Sequence, residues 1–281
     1  MANKAASAAK AKPSAARTTP RSAATPAPTP AAPLAWASGI TVPVGDLGQV
    51  ARIAADRGQP AAVAGIDLPG TSWAEVAPTS PAITGARKLT ADASLRVPLT
   101  MGGTTVADVA AGRVDAQWQT LGRTLSTMPR RPVVRLAVPA GTDPAQARAA
   151  WRRAATAVRQ TAGTKAVIEW AAPVGTTPET AAASYPGDEL VDVIGLTVDP
   201  KRPWASQVTG TGSLTAWTTW AAQHSKRVAV HWTLDGTTPA EVSQLQGWLN
   251  LSATKKRVAY ETTSAVGKGG KDAVRTYLSL W

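Results

Sequence analysis

Short apolar runs alternate with longer stretches of helical periodicity from residue 39 to the end of the chain. Eight runs stand out: GITVPV (39–44), PAAVAGID (60–67), SLRVPLTM (94–101), PVVRLAV (132–138), KAVIEW (165–170), LVDVIGLTV (190–198), RVAVHW (227–232) and RVAYE (257–261). Several are nearly continuous rather than alternating, the pattern of strands covered on both faces in a parallel sheet. Between them lie helical patterns such as DLGQVARIAADRG, TVADVAAGRVDAQWQTLGRTLS, DPAQARAAWRRAATAVRQTAG, SLTAWTTWAAQHS, TPAEVSQLQGWLNL and the terminal GKDAVRTYLSLW, with a short turn near SWAEVAP. Asp143-Pro144 and Thr238-Pro239 read as an N-cap followed by a first-turn proline, and Gly163 falls where a helix would end. Parallel strands need helical crossovers, and closing the sheet removes its edges. The alternation therefore predicts a single α/β domain, a (β/α)8 TIM barrel, over residues 35–281.

That architecture directs attention to the C-terminal strand ends, where barrels of this kind carry their chemistry. The residues there are Asp67, Met101, Pro139, Trp170, Asp199, Trp232 and Glu261. Tryptophans beside carboxylates suggest a sugar-binding cleft, because the apolar faces of pyranose rings stack on indoles. Trp170, Trp232, Trp204 and His231 are the glycan-binding candidates. Trp118, Trp151, Trp217, Trp220 and Trp248 sit on helical patterns and are expected to be packing residues. In SYPGDELVDVIGLTVD (184–199), Pro186 and Gly187 mark a turn into a buried strand, and Asp188 and Asp192 are expected to hold that turn and the lower barrel.

Composition narrows the chemistry. The 281 residues are 44% hydrophobic, with 11 Trp, 3 Tyr and no Phe, a bias from which no function follows. Without cysteine there is no disulfide, thiolate catalysis or thiolate-bound metal. With only two histidines, His224 and His231, a His-rich metal site is not expected, and no cofactor motif is present.

Residues 1–34 differ from the rest. They carry five basic residues, no acidic ones, and much Ala, Pro, Thr and Ser, which predicts a flexible, partly extended arm. Lys10, Lys12, Pro13 and Arg17 interrupt any secretory apolar core, and no run reaches transmembrane length. The expectation is a protein made in a cytoplasm without ordinary export and not bound to membrane. Of the formal charge of +12, the arm contributes +5, leaving +7 on the body. The balance suits polyanionic surroundings, but no aromatic residues interleave with the arm's charges, so sequence-specific nucleic-acid binding is not expected.

Four segments in order, VADVAAGRVDAQWQTLGRTL, RPVVRLAV, DPAQARAAWRRAATAVRQTAGTKAVIEWAAP and YPGDELVDVIGLTVD, resemble the middle of glycoside hydrolase family 26, the β-mannanase-like (β/α)8 barrels. The likeness runs with gaps over residues 104–232, and the YPGD-x-x-VD-x-IG element is its most specific part. The resemblance implies a retaining mechanism, which needs two carboxylates about 5–5.5 Å apart. In the family an acid/base glutamate closes the strand matched by RLAVP, where this chain has Pro139. The nucleophile closes the strand matched by RVAVHW, where His231 or Trp232 stands. Neither expected glutamate is present, leaving Glu169, Asp67 and Glu261 as the carboxylates from which a relocated pair could be drawn. Glu169 and Trp170 are neighbours on one strand, so only one can face the barrel axis.

Together these features predict a catalytically silent glycoside-hydrolase-like barrel. The expected role is a structural or attachment subunit of a larger particle, a bacteriophage tail or capsid-associated protein. Residues 1–34 would contact other subunits, and cell-surface glycan is a possible ligand. The alternatives are a free glycan-binding module and an active hydrolase of β-glycans with a relocated pair.

Overall fold

The structure, a computed structural model, describes residues 34–172, 176–251, 256–264 and 266–281. Residues 1–33 of the basic arm lie outside the described residues. Eight strands run in chain order around a closed barrel: β1 Ala37–Pro43, β2 Val63–Asp67, β3 Asp92–Pro98, β4 Val133–Ala137, β5 Val167–Ala171, β6 Val193–Thr197, β7 Arg227–Thr233 and β8 Val258–Ser264. Every neighbouring pair is parallel, including β8 with β1, which closes the ring. The expected (β/α)8 barrel is present, with each strand inside or overlapping its apolar run.

The helices are α1 Gly48–Asp56, α2 Pro81–Ala86, α3 Val106–Ala110, α4 Asp115–Ser126, α5 Pro144–Ala162, α6 Pro178–Ala181, α7 Trp204–Thr209, α8 Leu214–Gln223, α9 Pro239–Asn250 and α10 Lys271–Leu280. Their caps follow the sequence closely. The Asp143 carboxylate accepts the amide hydrogens of Ala145 and Gln146 at 3.0 Å each, Thr238 and Glu241 form a reciprocal capping box, and Gly163 ends α5 at φ 57°. The single long helix expected over TVADVAAGRVDAQWQTLGRTLS is two helices, because Gly112 turns the chain at φ 77° between α3 and α4. Three short helices, α2, α6 and α7, span only four to six residues and give periodicity too little length to register.

Alternation along the strands divides the interior in two. Outward residues such as Ile40, Ile66, Leu95, Ile168 and Ile194 are fully buried against the helix layer. Inward residues form a separate small apolar cluster of Val63, Val133, Val193, Ala229 and Tyr260, which plugs the lower barrel. One step up each strand the inward positions become Gly65, Ser94, Arg135, Glu169, Gly195, His231 and Thr262, and the lumen changes from apolar to polar.

The SYPGD segment sits at the lower end, as expected. Gly187 turns at φ 108°, and the Tyr185 hydroxyl donates to Asp188 Oδ1 at 2.7 Å. His224 Nδ1 reaches the same oxygen at 2.9 Å. Asp192 Oδ2 accepts from the Ile168 amide (2.8 Å) and from Arg159 (2.7 Å), fixing the entry of β6 beside β5. Both aspartates hold structure, away from the upper face.

Candidate functional site

A cleft of about 850 Å3 opens at the C-terminal ends of the strands. Its lining is mixed. The loop after β4 contributes an apolar wall of Ala137, Val138, Pro139 and Ala140. Strands contribute Asp67, Ser94, Arg96, Arg135, His231 and Thr262.

Beneath this surface lies a buried polar network centred on Glu169, which is fully buried on β5. Its Oε1 stands 2.9 Å from His231 Nε2 and 3.2 Å from Arg135 Nε, and its Oε2 accepts a hydrogen bond from the Tyr260 hydroxyl. The other nitrogen of His231, Nδ1, is 2.8 Å from Thr262 Oγ1, and Arg135 Nη2 donates to Thr197 Oγ1 at 2.8 Å. Three strands, β4, β7 and β8, thus converge on a carboxylate carried by β5.

The protonation states follow from these contacts. Burial alone would raise the Glu169 pKa, but the facing His231, the Arg135 guanidinium and the Tyr260 hydroxyl outweigh it and hold the carboxyl below the ordinary range. Burial, reinforced by the Arg135 charge, pushes the His231 imidazole below its usual value. Burial and the charge of Glu169 raise the Tyr260 phenol well above 10. The centre is therefore an ionised carboxylate, a guanidinium, a neutral imidazole and a neutral phenol.

Glu261 belongs elsewhere. It is fully buried on the outer face of β8, where Oε2 accepts from Ser38 Oγ at 2.9 Å and Trp281 Nε1 at 3.0 Å, and Oε1 from Thr263 Oγ1 at 2.6 Å and from Trp232 Nε1. Arg57 reaches Ser38 Oγ at 2.9 Å and the Tyr277 hydroxyl at 3.2 Å. Burial raises the Glu261 pKa despite these donors.

These placements sort the residues expected from sequence. Of the three fallback carboxylates, Glu261 is separated from the cleft by the sheet itself and cannot pair with either of the others. Glu169 takes the axial side of β5, but lies under the floor in an ion network. Asp67 stands exposed at the end of β2, within the cleft. Of the degenerate positions, Pro139, His231 and Trp232 all line the cleft.

Of the tryptophans expected as sugar platforms, Trp170 and Trp232 are buried. Both Trp170 and Trp232 border the cleft, but their rings turn into the helix layer. Trp170 is 2% exposed, with its ring centroid 5.1 Å from Tyr185 and 6.0 Å from Trp217. Trp232 is 4% exposed and packs 5.5 Å from Trp281. The strand period explains both, since each follows an inward residue, Glu169 or His231, and must face the other way. Trp204, half-buried at the start of α7, is not among the residues lining the cleft. Met101, expected at a strand end, is buried in the turn after β3.

Sequence reasoning passed over Arg135, Ser94, Thr262 and Tyr260. Arg135 stands four residues before Pro139 and Thr262 directly after Glu261, and both line the cleft. Among the described residues no group of three His, Asp or Glu side chains is placed to hold a metal ion, and no helix is long and apolar enough to cross a membrane.

The fold is a closed (β/α)8 barrel, and solved structures share it. It resembles the modular endo-β-1,4-mannanase of glycoside hydrolase family 26 from Cellulomonas fimi, with TM-score 0.62 and 16% identity over 84% of this chain and 66% of that one. It also resembles the family 26 β-mannanase of Bacteroides ovatus, with TM-score 0.55 and 15% identity over 87% and 83% of the two chains. A third likeness is to XacCel5A, solved in complex with cellopentaose, with TM-score 0.59 and 12% identity over 88% and 99%. The chain spans about two thirds of the length of the Cellulomonas enzyme. No family model and no curated protein matches the sequence. At these identities the likeness establishes the fold.

Proposed function

We propose that this barrel binds a glycan in its upper cleft without hydrolysing it by the retaining mechanism of the family 26 mannanases that the sequence resembles. The observation that carries this reading is the end of β4. There the cleft is walled by Ala137, Val138, Pro139 and Ala140, none of which carries a carboxyl group, and the retaining mechanism needs two. At the end of β7 the cleft meets His231, Trp232 and Thr233, again without a carboxylate. The inward carboxylate of β5, Glu169, is committed to Arg135, His231 and Tyr260, and its lowered pKa is opposite to that of a general acid. Asp67 and Asp199, which do line the cleft, belong to β2 and to the loop after β6, on opposite sides of an eight-stranded ring.

The test is calorimetry alongside a reducing-sugar assay on β-1,4-linked manno-, gluco- and xylo-oligosaccharides. Binding without release of reducing ends is expected. Turnover that disappears in Glu169→Gln or Asp67→Asn would overturn the proposal in favour of an active, relocated pair.

A second reading rests on the composition of residues 1–34, whose five cations, absent acids and repeated prolines suit a segment that orders on docking to neighbouring subunits. On this reading the barrel is an attachment subunit of a larger particle such as a bacteriophage virion. Deleting residues 1–34 would then abolish incorporation into the particle while leaving glycan affinity unchanged. Equal incorporation of the truncated and full-length proteins would refute it.

A further inference from the structure

Hydrogens around Glu169 can be assigned by elimination. An ionised carboxylate only accepts, so the Tyr260 hydroxyl, bonded to Oε2, has given it its single proton. For the same reason His231 Nε2, 2.9 Å from Oε1, must carry a hydrogen. A neutral imidazole then has a bare Nδ1, and the group facing it is Thr262 Oγ1 at 2.8 Å, which must donate. Ser94 Oγ lies 3.4 Å from the Tyr260 oxygen. Because the Tyr260 proton is already committed, Ser94 is the donor in that contact.

One buried anion thus orients two hydroxyl groups that line the cleft. Thr262 and Ser94 turn their only protons into the barrel wall and present lone pairs upward. The charges do not counteract this. Arg96 and Arg135 bring two positive charges to the cleft and its floor, against three negative ones from Asp67, Asp199 and Glu169. The arginines therefore do not make an anion site, since Arg135 is already neutralised by Glu169 at 3.2 Å.

Resting on the glycan-binding reading, we infer that the cleft floor selects a neutral polyol that directs O–H donors at Thr262 and Ser94. It discriminates against groups that offer only acceptors there, such as phosphate, sulfate or uronate. Thr262 is the specificity-determining residue, and Glu169 and His231 are positioning residues that act through it.

Two measurements test this. The first needs no ligand: nitrogen-15 spectra of histidine-labelled protein at pH 7.5 should report His231 as the Nε2–H tautomer. The Nδ1–H tautomer or an imidazolium overturns the inference even if sugars bind. The second is calorimetry with mannotriose and its monodeoxy and monofluoro analogues, since fluorine keeps an acceptor but removes the donor. At the position seated on the floor, both replacements should weaken binding about tenfold. Thr262→Val should abolish the difference between parent and analogue, and Thr262→Ser should restore it. Inorganic phosphate and glucuronate should bind at least tenfold more weakly than the neutral sugar. Fluoro analogues that all bind as well as the parent, or phosphate that competes equally, overturn the inference while leaving glycan binding intact. If the Nε2–H tautomer is found but no neutral sugar binds, the glycan-binding reading fails and the ligand selection falls with it.

Discussion

Gly195 on β6 stands against the carboxylate of Glu169 on β5: a Cβ at position 195 would overlap Oε1 and crowd the rest of the carboxyl group. The two strands pair with Ala171 opposite Gly195, so the glycine lies one step above the register partner of Glu169, and its missing side chain makes the space the carboxylate fills. A similar vacancy at Gly65 admits the side chain of Thr41.

Gly195→Ala should therefore act on the network rather than on the strand. Overpacking of a filled interior costs about 1–3 kcal/mol, and here the group displaced is a buried charge whose partners would be left unmatched. A lower urea midpoint with an unchanged m-value is expected, together with a shift of the His231 ring nitrogens. An unperturbed His231 spectrum would mean that Glu169 has a second place to sit.

Acid should weaken the barrel through the same centre. His231 has a folded-state pKa below its unfolded one, so between the two values the unfolded chain binds a proton that the folded chain refuses. Stability is lost as pH falls below about 6.5, the ordinary imidazole value. Glu169 adds a loss at lower pH, because its folded pKa is also depressed and its contribution disappears as pH drops from the ordinary carboxylate value through the folded one. Glu261 has the opposite sign: its raised pKa means stability is lost as pH rises from about 4.5 through the folded value. Urea midpoints from pH 4 to 8 should show a loss below pH 6.5 in the parent protein that is reduced in His231→Gln.

Much of this fold could be read directly from the chain. Each apolar run became a strand because burial on both faces leaves nearly continuous Val, Ile, Leu and Ala, and caps such as Asp143 and Thr238 made the boundaries of α5 and α9 visible. The site was less legible for a geometric reason. Residues were singled out by their place at the ends of runs, and a run does not say which of two adjacent residues faces the axis. Glu169 with Trp170, and His231 with Trp232, are such pairs, and in both the tryptophan took the helix side. Period two does contain the missing information once one inward residue is known. From His231 the same phase gives Ala229 and Thr233, and across the register it gives Thr262. The network itself could not be read, because it joins β4, β5, β7 and β8, and no local spacing encodes contacts between residues as far apart as Glu169 and Tyr260.

Glu261→Gln tests the outer cluster independently. All four hydrogen-bond contacts to the Glu261 oxygens are from donors, so an amide would turn an NH2 group towards two of them and leave buried donors facing each other. Such a mismatch costs about 1–3 kcal/mol. The melting temperature should fall, with glycan affinity unchanged, because the sheet separates this cluster from the cleft. A loss of affinity equal to that of a Glu169 variant would show that the two carboxylates are coupled through β8.

Trp170→Ala separates packing from sugar stacking at one of the tryptophans whose sequence position suggested a platform. Its ring is surrounded by Tyr185 at 5.1 Å, Trp217 at 6.0 Å and Trp220 at 6.2 Å, so truncation removes the centre of an aromatic cluster. Replacing a buried tryptophan by alanine costs about 3–5 kcal/mol, which should lower the melting temperature by several degrees or more in a domain of this size. Leucine at the same position refills part of the cavity without offering an aromatic face. If Trp170 is a packing residue, Trp170→Leu should recover much of the stability and bind oligosaccharide as the parent does. If the indole stacks on sugar, Trp170→Leu should remain folded yet lose affinity. Measuring both quantities on both variants therefore decides between a wall that holds the cleft in shape and one that touches its ligand.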